Sequence, residues 1–269
     1  MNGAITGDIV GSVYEFHTIK QKEFKFLKPK CCFTDDTVMT CAIAKASMDY
    51  LDNKDIDLFK SNCVKYMQEL GRKYPKAGYG GMFYDWLHSD DPKPYNSYGN
   101  GGAMRTSPVA FVSLSLDEAL MLAEAQSSVT HNHEEGIKGA KAITAAMYLA
   151  LNGASKEEIR EHIESNYYKL DFTISSIYKK YRFDVSSQGS VPQAIEAFLE
   201  GTDFEDSIRN AVCLGGDADT LACMAGAISE CFYGFPEDLE IDTYLPSDLR
   251  EIRHNFNSKI KEFKEQKKR

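Results

Sequence analysis

Nowhere in the chain do about 18 apolar residues run together, the length a membrane-spanning helix needs. The N-terminus has no basic region, and Asp8 interrupts its first apolar run, so no signal peptide is expected. None of the seven cysteines forms a C-x-x-C pair, their number is odd, and Cys31 and Cys32 are adjacent. This argues against a zinc ribbon or a disulfide framework and for free thiols in a reducing compartment, so a cytoplasmic location is expected. Cys213, Cys223 and Cys231 sit among apolar residues and read as core filler. Positive charge is also short. A net charge of −9 argues against a general nucleic-acid or anionic-membrane surface. A phosphate ligand would need local attraction from metals, amides or a few basic side chains. A βαβ series, a low-complexity linker and a solenoid repeat are missing too.

What is present is helical. The 269 residues are expected to form one all-α domain spanning 1–269, a compact multi-helix orthogonal bundle. Gly3, Gly7 and Gly11 recur every fourth residue, a smooth helical stripe that lets another backbone come close, and Glu15 extends the same stripe. Residues 17–33 read as a loop or short edge strand. Residues 37–51 read as helix, and Ile56, Phe59, Cys63, Met67 and Leu70 mark an amphipathic helix over 55–70. Residues 71–102 form a long loop broken by a turn of helix at Met82–Leu87; loops of that length are usually functional. Ser115–Glu118, Ser155–Glu158 and Thr202–Glu205 are capping-box patterns. An alanine-rich helix over 134–151 is expected to be buried, and another over 191–200 stops at Gly201. Leu249, Ile252, Phe256, Ile260 and Phe263 make a last amphipathic helix, whose charged tail Lys261 to Arg269 is expected to fray.

The chain is organised around Leu214-Gly215-Gly216-Asp217-Ala218-Asp219-Thr220, which opens an apolar helical run. Alone, this pattern is ordinary helix capping. A second copy, Phe33-Thr34-Asp35-Asp36-Thr37, alters that balance. Side by side, the two helices would bring four carboxylates to one point. Such a cluster raises its own pKa values and destabilises the fold unless cations join it. Hard divalent cations with oxygen ligands, Mg²⁺, Mn²⁺ or Ca²⁺, answer that need. In the long loop, Asn96-Ser97-Tyr98-Gly99-Asn100-Gly101-Gly102-Ala103-Met104-Arg105 is either a flexible turn or, if a helix starts near Gly102, an anion cradle of backbone N–H groups. Its spacing is neither Walker A nor the dinucleotide fingerprint. In Thr130-His131-Asn132-His133, the two imidazoles can ligate a metal, touch ligand oxygens at a helix start, or lie solvated in a loop; the last suits His133 best.

Five motifs in order, Gly7-Asp8-x-x-Gly11-x-x-x-Glu15, Thr34-Asp35-Asp36-Thr37, Ser97 to Arg105, Thr130 to His133 and Gly215 to Thr220, resemble the ADP-ribosylglycohydrolase family, which includes the dinitrogenase-reductase-activating glycohydrolases. The resemblance covers nearly the whole chain. It implies an all-α fold whose active-site cleft lies over a dinuclear centre of two Mg²⁺ or Mn²⁺. The implied ligands are Thr34, Asp35, Asp36, Asp217, Asp219 and Thr220. Glu15 would border the site, with Asp35, Asp36 and Glu15 in catalytic roles. Ser97, Tyr98, Gly99, Asn100, Gly101 and Gly102 would hold the pyrophosphate, and His131 would lie near the ADP-ribose. The implied reaction is hydrolysis at C1″ of the distal ribose, on ADP-ribosylated proteins or small-molecule acceptors. Separately, a monomer is expected. The stretch from Ser97 to Arg105 is most similar to members that cleave O-glycosidic bonds, which favours serine-linked or other O-linked ADP-ribose. Tyr79 to Trp86 looks like a specificity loop. One departure is Glu134, where many members have proline after the second histidine; it puts the helix entry and any role of His133 in question. Two alternatives are a non-catalytic binding or structural member of the fold, as in lens crystallins, and an unrelated helical metallohydrolase acting on nucleotides. The full set of six ligand positions favours an enzyme.

Overall fold

The computed structural model describes residues 1–267. Its helices are α1 Asn2–Gly11, α2 Asp35–Asn53, α3 Ile56–Lys73, α4 Gly81–His88, α5 Gly101–Met104, α6 Ser107–Val112 and α7 Leu116–Ser128. They continue with α8 Glu134–Leu151, α9 Lys156–Asn166, α10 Ile174–Ile177, α11 Ser187–Glu200, α12 Phe204–Leu214, α13 Ala218–Tyr233 and α14 Ser247–Lys267. No strand occurs among the described residues, only one isolated antiparallel bridge between Gly99 and Ser186. Residues 17–33 are accordingly irregular rather than an edge strand. No helix among the described residues is long and apolar enough to cross a membrane.

The fold is centred on α13, which is buried from Ala218 to Ser229. Against it lies α1, and the glycine stripe explains how close. A methyl group added at Gly3, Gly7 or Gly11 would overlap the backbone at Gly226, Ala222 or Asp219 respectively. The expected close approach is therefore made, and it brings Asp8 of α1 level with the first turn of α13. The helix ends at Gly11, so Glu15 lies in the turn beyond it and not on a continued stripe.

Helix ends differ from their sequence patterns in detail. Ser155 and Glu158 form the reciprocal capping box. Ser115 accepts from Glu118 N, but the Glu118 carboxylate turns to Leu114 N and Lys54. The third cap is Asp203, one residue after the expected Thr202, because the aspartate carboxylate accepts from Asp206 N at 2.8 Å. Helix α11 starts at Ser187, ahead of the expected residue 191, with Ser186 as its cap. Pro192 thus lies inside it and leaves the Gln188 carbonyl without its helical N–H partner. Helix α14 continues through Lys267, so residues 261–267 of the charged tail are helical in register with the rest; residues 268 and 269 lie outside the described residues. All seven cysteines are free, and Cys213, Cys223 and Cys231 are buried.

Candidate active site

The first turns of α2 and α13 meet beneath a cleft. At α13 the chain arrives through Gly215 and Gly216, both in the left-handed region (φ 65° and 74°), where side chains other than glycine's are strained. Asp217 follows as the N-terminal flanking residue, yet its side chain makes no capping bond. Capping is therefore not what this carboxylate does. Its Oδ2 instead accepts from Asn100 Nδ2 at 2.7 Å. At α2, Thr34 does cap, accepting from Asp36 N at 3.4 Å.

Across the two helices, Thr220 Oγ1 donates to Asp36 Oδ2 at 3.0 Å. The other Asp36 oxygen, Oδ1, is buried with no hydrogen-bond partner. Two acidic groups result, sharing one residue. Carboxylate oxygens of Asp8, Asp36 and Asp219 lie within 4.8 Å of one another, and so do those of Glu15, Asp217 and Asp219. A bare buried carboxylate oxygen beside two oxygen-only clusters is the donor set a hard divalent cation takes. The residues present fit such a group.

Asp8 was absent from the sequence-derived ligand set. It is fully buried, and its carboxylate accepts from Thr34 N (2.9 Å), Thr34 Oγ1 (2.7 Å), Thr37 N (3.1 Å) and Thr37 Oγ1. A carboxylate placed against the exposed N–H groups of α2 fixes that helix start and thereby aims Asp35 and Asp36. The available signal was an aspartate inside the apolar run Ala-Ile-Thr-Gly-Asp-Ile-Val, a position where an unpartnered charge is not tolerated.

Burial raises every carboxylate in the group, and repulsion from its neighbours in the group adds to the rise for Glu15, Asp35, Asp36 and Asp219. Glu15 is pushed up to about 7, first by desolvation and then by Asp217 and Asp8. Asp35 is pushed up to about 8 by desolvation, then by Asp8 and Asp217. Desolvation also raises Asp8, Asp36, Asp217 and Asp219, and for Asp8 its four hydrogen bonds oppose the rise. In the chain alone this cluster favours bound protons, which cations would replace.

The cleft encloses about 370 Å³. Its floor is Thr34, Asp35, Asp217, Asp219, Thr220 and Glu15. One wall is the cradle, of which Ser97, Gly99, Asn100 and Gly101 line the cavity. Tyr98 and Gly102 are not part of that lining; Tyr98 is exposed and meets His133 edge-on at 5.6 Å. Within the cradle, Gly99 N donates to Ser97 Oγ (3.1 Å) and Asn100 N to the Val185 carbonyl (2.8 Å). The N–H groups of Gly101 and Gly102, at the start of α5, have no such partner among the described residues. His131 is buried against this wall, and a methyl at Gly101 would lie 2.8 Å from its Nε2. Gly80, Gly81, Met82 and Phe83, within the expected specificity loop, also line the cavity. Phe183 and Val185 add an apolar rim that the sequence did not signal, and Phe183 stacks on exposed Phe16 at 6.3 Å. His133 answers the question raised by Glu134: its Nδ1 accepts from Glu135 N at 3.1 Å, so the imidazole caps α8 and needs no proline after it.

The family model for ADP-ribosylglycohydrolase matches residues 1–263. The chain belongs to the ADP-ribosylglycohydrolase family. Among curated proteins it is similar to ADP-ribosylhydrolase ARH3 of Xenopus tropicalis, 26% identical over 96% of this chain and 92% of that protein. The human ARH3 is 26% identical over 87% of this chain and 84% of its own. An ADP-ribosylarginine hydrolase of Pseudomonas putida is 35% identical, over 55% of this chain and 41% of that one. A solved structure described as an ADP-ribosylglycohydrolase-related protein complex superposes with a TM-score of 0.67 over 96% of this chain and 93% of that chain, at 22% identity, which shows the shared fold. The expected family and all-helical architecture are thus both found.

Proposed function

We propose that this protein, as one domain over 1–269, is a divalent-metal-dependent hydrolase that releases ADP-ribose from a modified acceptor by cleaving the bond at C1″ of the distal ribose. The observation that carries this reading is the meeting of two acidic groups, through Asp219, at the floor of a cleft walled by Gly99, Gly101 and His131. Thr34, Asp35, Asp36, Asp217, Asp219 and Thr220 would hold two Mg²⁺ or Mn²⁺, with Glu15 at their border and Asp8 fixing the start of α2. When bound, such cations supply Lewis acidity to ribose hydroxyls and to water.

The remaining chemistry belongs to the chain. The cradle and His131 hold the pyrophosphate side and leave C1″ over the floor. Anionic surroundings favour the positive character that develops at C1″ as the acceptor bond breaks. Water adds its oxygen to C1″; one of its protons passes to a carboxylate, and the acceptor atom leaves with the bonding pair and takes up a proton. Asp35, Asp36 and Glu15 are the candidate proton acceptors, and Glu15, pushed up to about 7, lies nearer neutrality in the metal-free chain than Asp35 at about 8. Two similarities bear on the acceptor. The stretch from Ser97 to Arg105 resembles members acting on O-linked ADP-ribose, and the relatives covered nearly end to end are named ADP-ribosylhydrolase ARH3. We therefore place serine-linked or other O-linked ADP-ribose ahead of arginine-linked.

A panel of peptides carrying ADP-ribose on serine or on arginine, incubated with Mg²⁺ or Mn²⁺, tests this. Chelator-sensitive release from the serine peptide is expected. Release from arginine alone would reverse the acceptor assignment, and no release from any acceptor would leave a binding protein.

A further inference from the structure

Arg105 is fully buried, yet no carboxylate among the described residues is paired with it. Its Nε donates to Gln126 Oε1 (2.9 Å), and its Nη2 donates to the Gln126 carbonyl (2.9 Å) and to Thr130 Oγ1 (2.7 Å). Gln126 Nε2 in turn donates to the Gly102 carbonyl at 2.7 Å, so the guanidinium is anchored to the base of the cradle. A buried cation held this firmly beside a ligand cleft needs an explanation, because desolvating it is costly.

Thr130 Oγ1 is the junction. It lies 2.7 Å from His131 Nδ1 and 3.4 Å from the Ser127 carbonyl. Arginine has no acceptor, so the hydroxyl oxygen accepts from Arg105 and has a single proton left to give. A contact of 2.7 Å is a good hydrogen bond, and one of 3.4 Å is at the margin of being one. The proton therefore goes to Nδ1. A ring nitrogen that accepts carries no proton, which leaves the proton of the neutral imidazole on Nε2. Nε2 faces the cleft at Gly99 and Gly101, and no protein group bonds it among the described residues. Burial, and then the Arg105 charge, hold the ring neutral by pulling its pKa well below the usual histidine value.

We propose that Arg105 and Thr130 are positioning residues that fix His131 as its Nε2–H tautomer, so that the cleft wall offers an N–H donor to an oxygen of the ligand. That this oxygen belongs to ADP-ribose rests on the function proposed above; the tautomer does not. A donor of fixed direction, set beside the free amides of Gly101 and Gly102, suits an anionic oxygen and rejects a bare cation. With Nδ1 taken up by the Thr130 hydroxyl and Nε2 carrying the proton, the ring offers the cleft a donor and no free acceptor.

The test is ¹⁵N NMR of the histidine rings in the full-length, ligand-free protein. The chain has six histidines, and the His131→Asn variant identifies the His131 signals by their loss. An Nε2–H tautomer is expected in the native protein. Thr130→Val, which keeps the shape and removes the hydroxyl, is expected to mix the two tautomers and weaken ADP-ribose binding by about tenfold, the worth of one hydrogen bond. Thr130→Ser is expected to restore both. An Nδ1–H tautomer in the native protein would overturn the relay while leaving ADP-ribose binding intact. A Thr130→Val variant that folds and keeps both the tautomer and the affinity would overturn it as well. A native Nε2–H tautomer without any ADP-ribose binding would support the relay and refute the ligand.

Discussion

Thr220 and Asp36, 184 residues apart in sequence, are joined by a 3.0 Å hydrogen bond between the first turns of two helices. That bond ties the two halves of the acidic site and leaves Asp36 Oδ1 free to face a cation. Replacing Asp36 by Asn removes a charge and a proton acceptor but keeps the bond from Thr220. Hydrolysis should fall on the order of a hundredfold or more, while ADP-ribose binding through the cradle persists. Single-turnover release and equilibrium binding, measured on the same preparation, separate the two effects.

The close approach of α1 and α13 is a second point of test. In Gly7→Ala the new methyl has nowhere to go except into the Ala222 backbone. The helices must part, at a cost of about 3 kcal/mol, near the upper end for overpacking a core. Urea unfolding should show that loss. Because Asp8 and Asp219 separate with the helices, Mn²⁺ affinity should drop in the same variant. An exposed control, Gly153→Ala, strains only its own left-handed backbone (φ 82°), with nothing near its added methyl, so it should cost some stability and leave Mn²⁺ affinity unchanged.

The metal-free chain should have a distinctive pH dependence. Glu15 stands at about 7 in the fold against an ordinary 4.5, and Asp35 at about 8 against 3.8. A carboxylate with a raised pKa in the folded state binds its proton more tightly there than in the unfolded chain. Its stability contribution is full below the unfolded value and is lost as pH rises through the folded one. In chelator, the melting temperature should therefore fall from about pH 5 to about pH 8. Added Mn²⁺ should oppose the fall, since deprotonated carboxylates bind cations best. A metal-free melting temperature that rose over this window would contradict the arrangement.

Ligand selectivity follows from the cleft. ADP-ribose at a hundred times its Kd should stabilise the Mg²⁺-loaded protein by about 2.7 kcal/mol. AMP and ribose-5-phosphate, which reach only one end, should do much less. Equal shifts with AMP would remove the pyrophosphate from the cradle.

The meeting of Asp36 and Asp219 is legible in the sequence because the pattern of hydroxyl, carboxylates and apolar helix occurs twice. The spacing of Gly3, Gly7 and Gly11 likewise foretells which face of α1 meets another backbone. Asp8 is harder to read, since its partners Thr34 and Thr37 lie in a different helix and only the fold brings them to it. Phe16 and Phe183 are invisible for the same reason: each is an ordinary loop aromatic until two distant loops stack them at the mouth. The cradle is legible as glycines, but not in which amides it spends. Ser97 and the Val185 carbonyl take two of them, the latter through residues that have no signal of their own. The relay from Arg105 through Thr130 depends on one rotamer and two 2.7 Å contacts, finer than any sequence pattern resolves.

The most direct test of the central claim is calorimetric titration of Mn²⁺ into the metal-stripped protein. Two-site binding is expected in the native chain, lost in the Asp36→Ala, Asp219→Ala double variant, which empties both acidic groups of a member. No heat of binding in the native chain, or the same isotherm in the double variant, would contradict it.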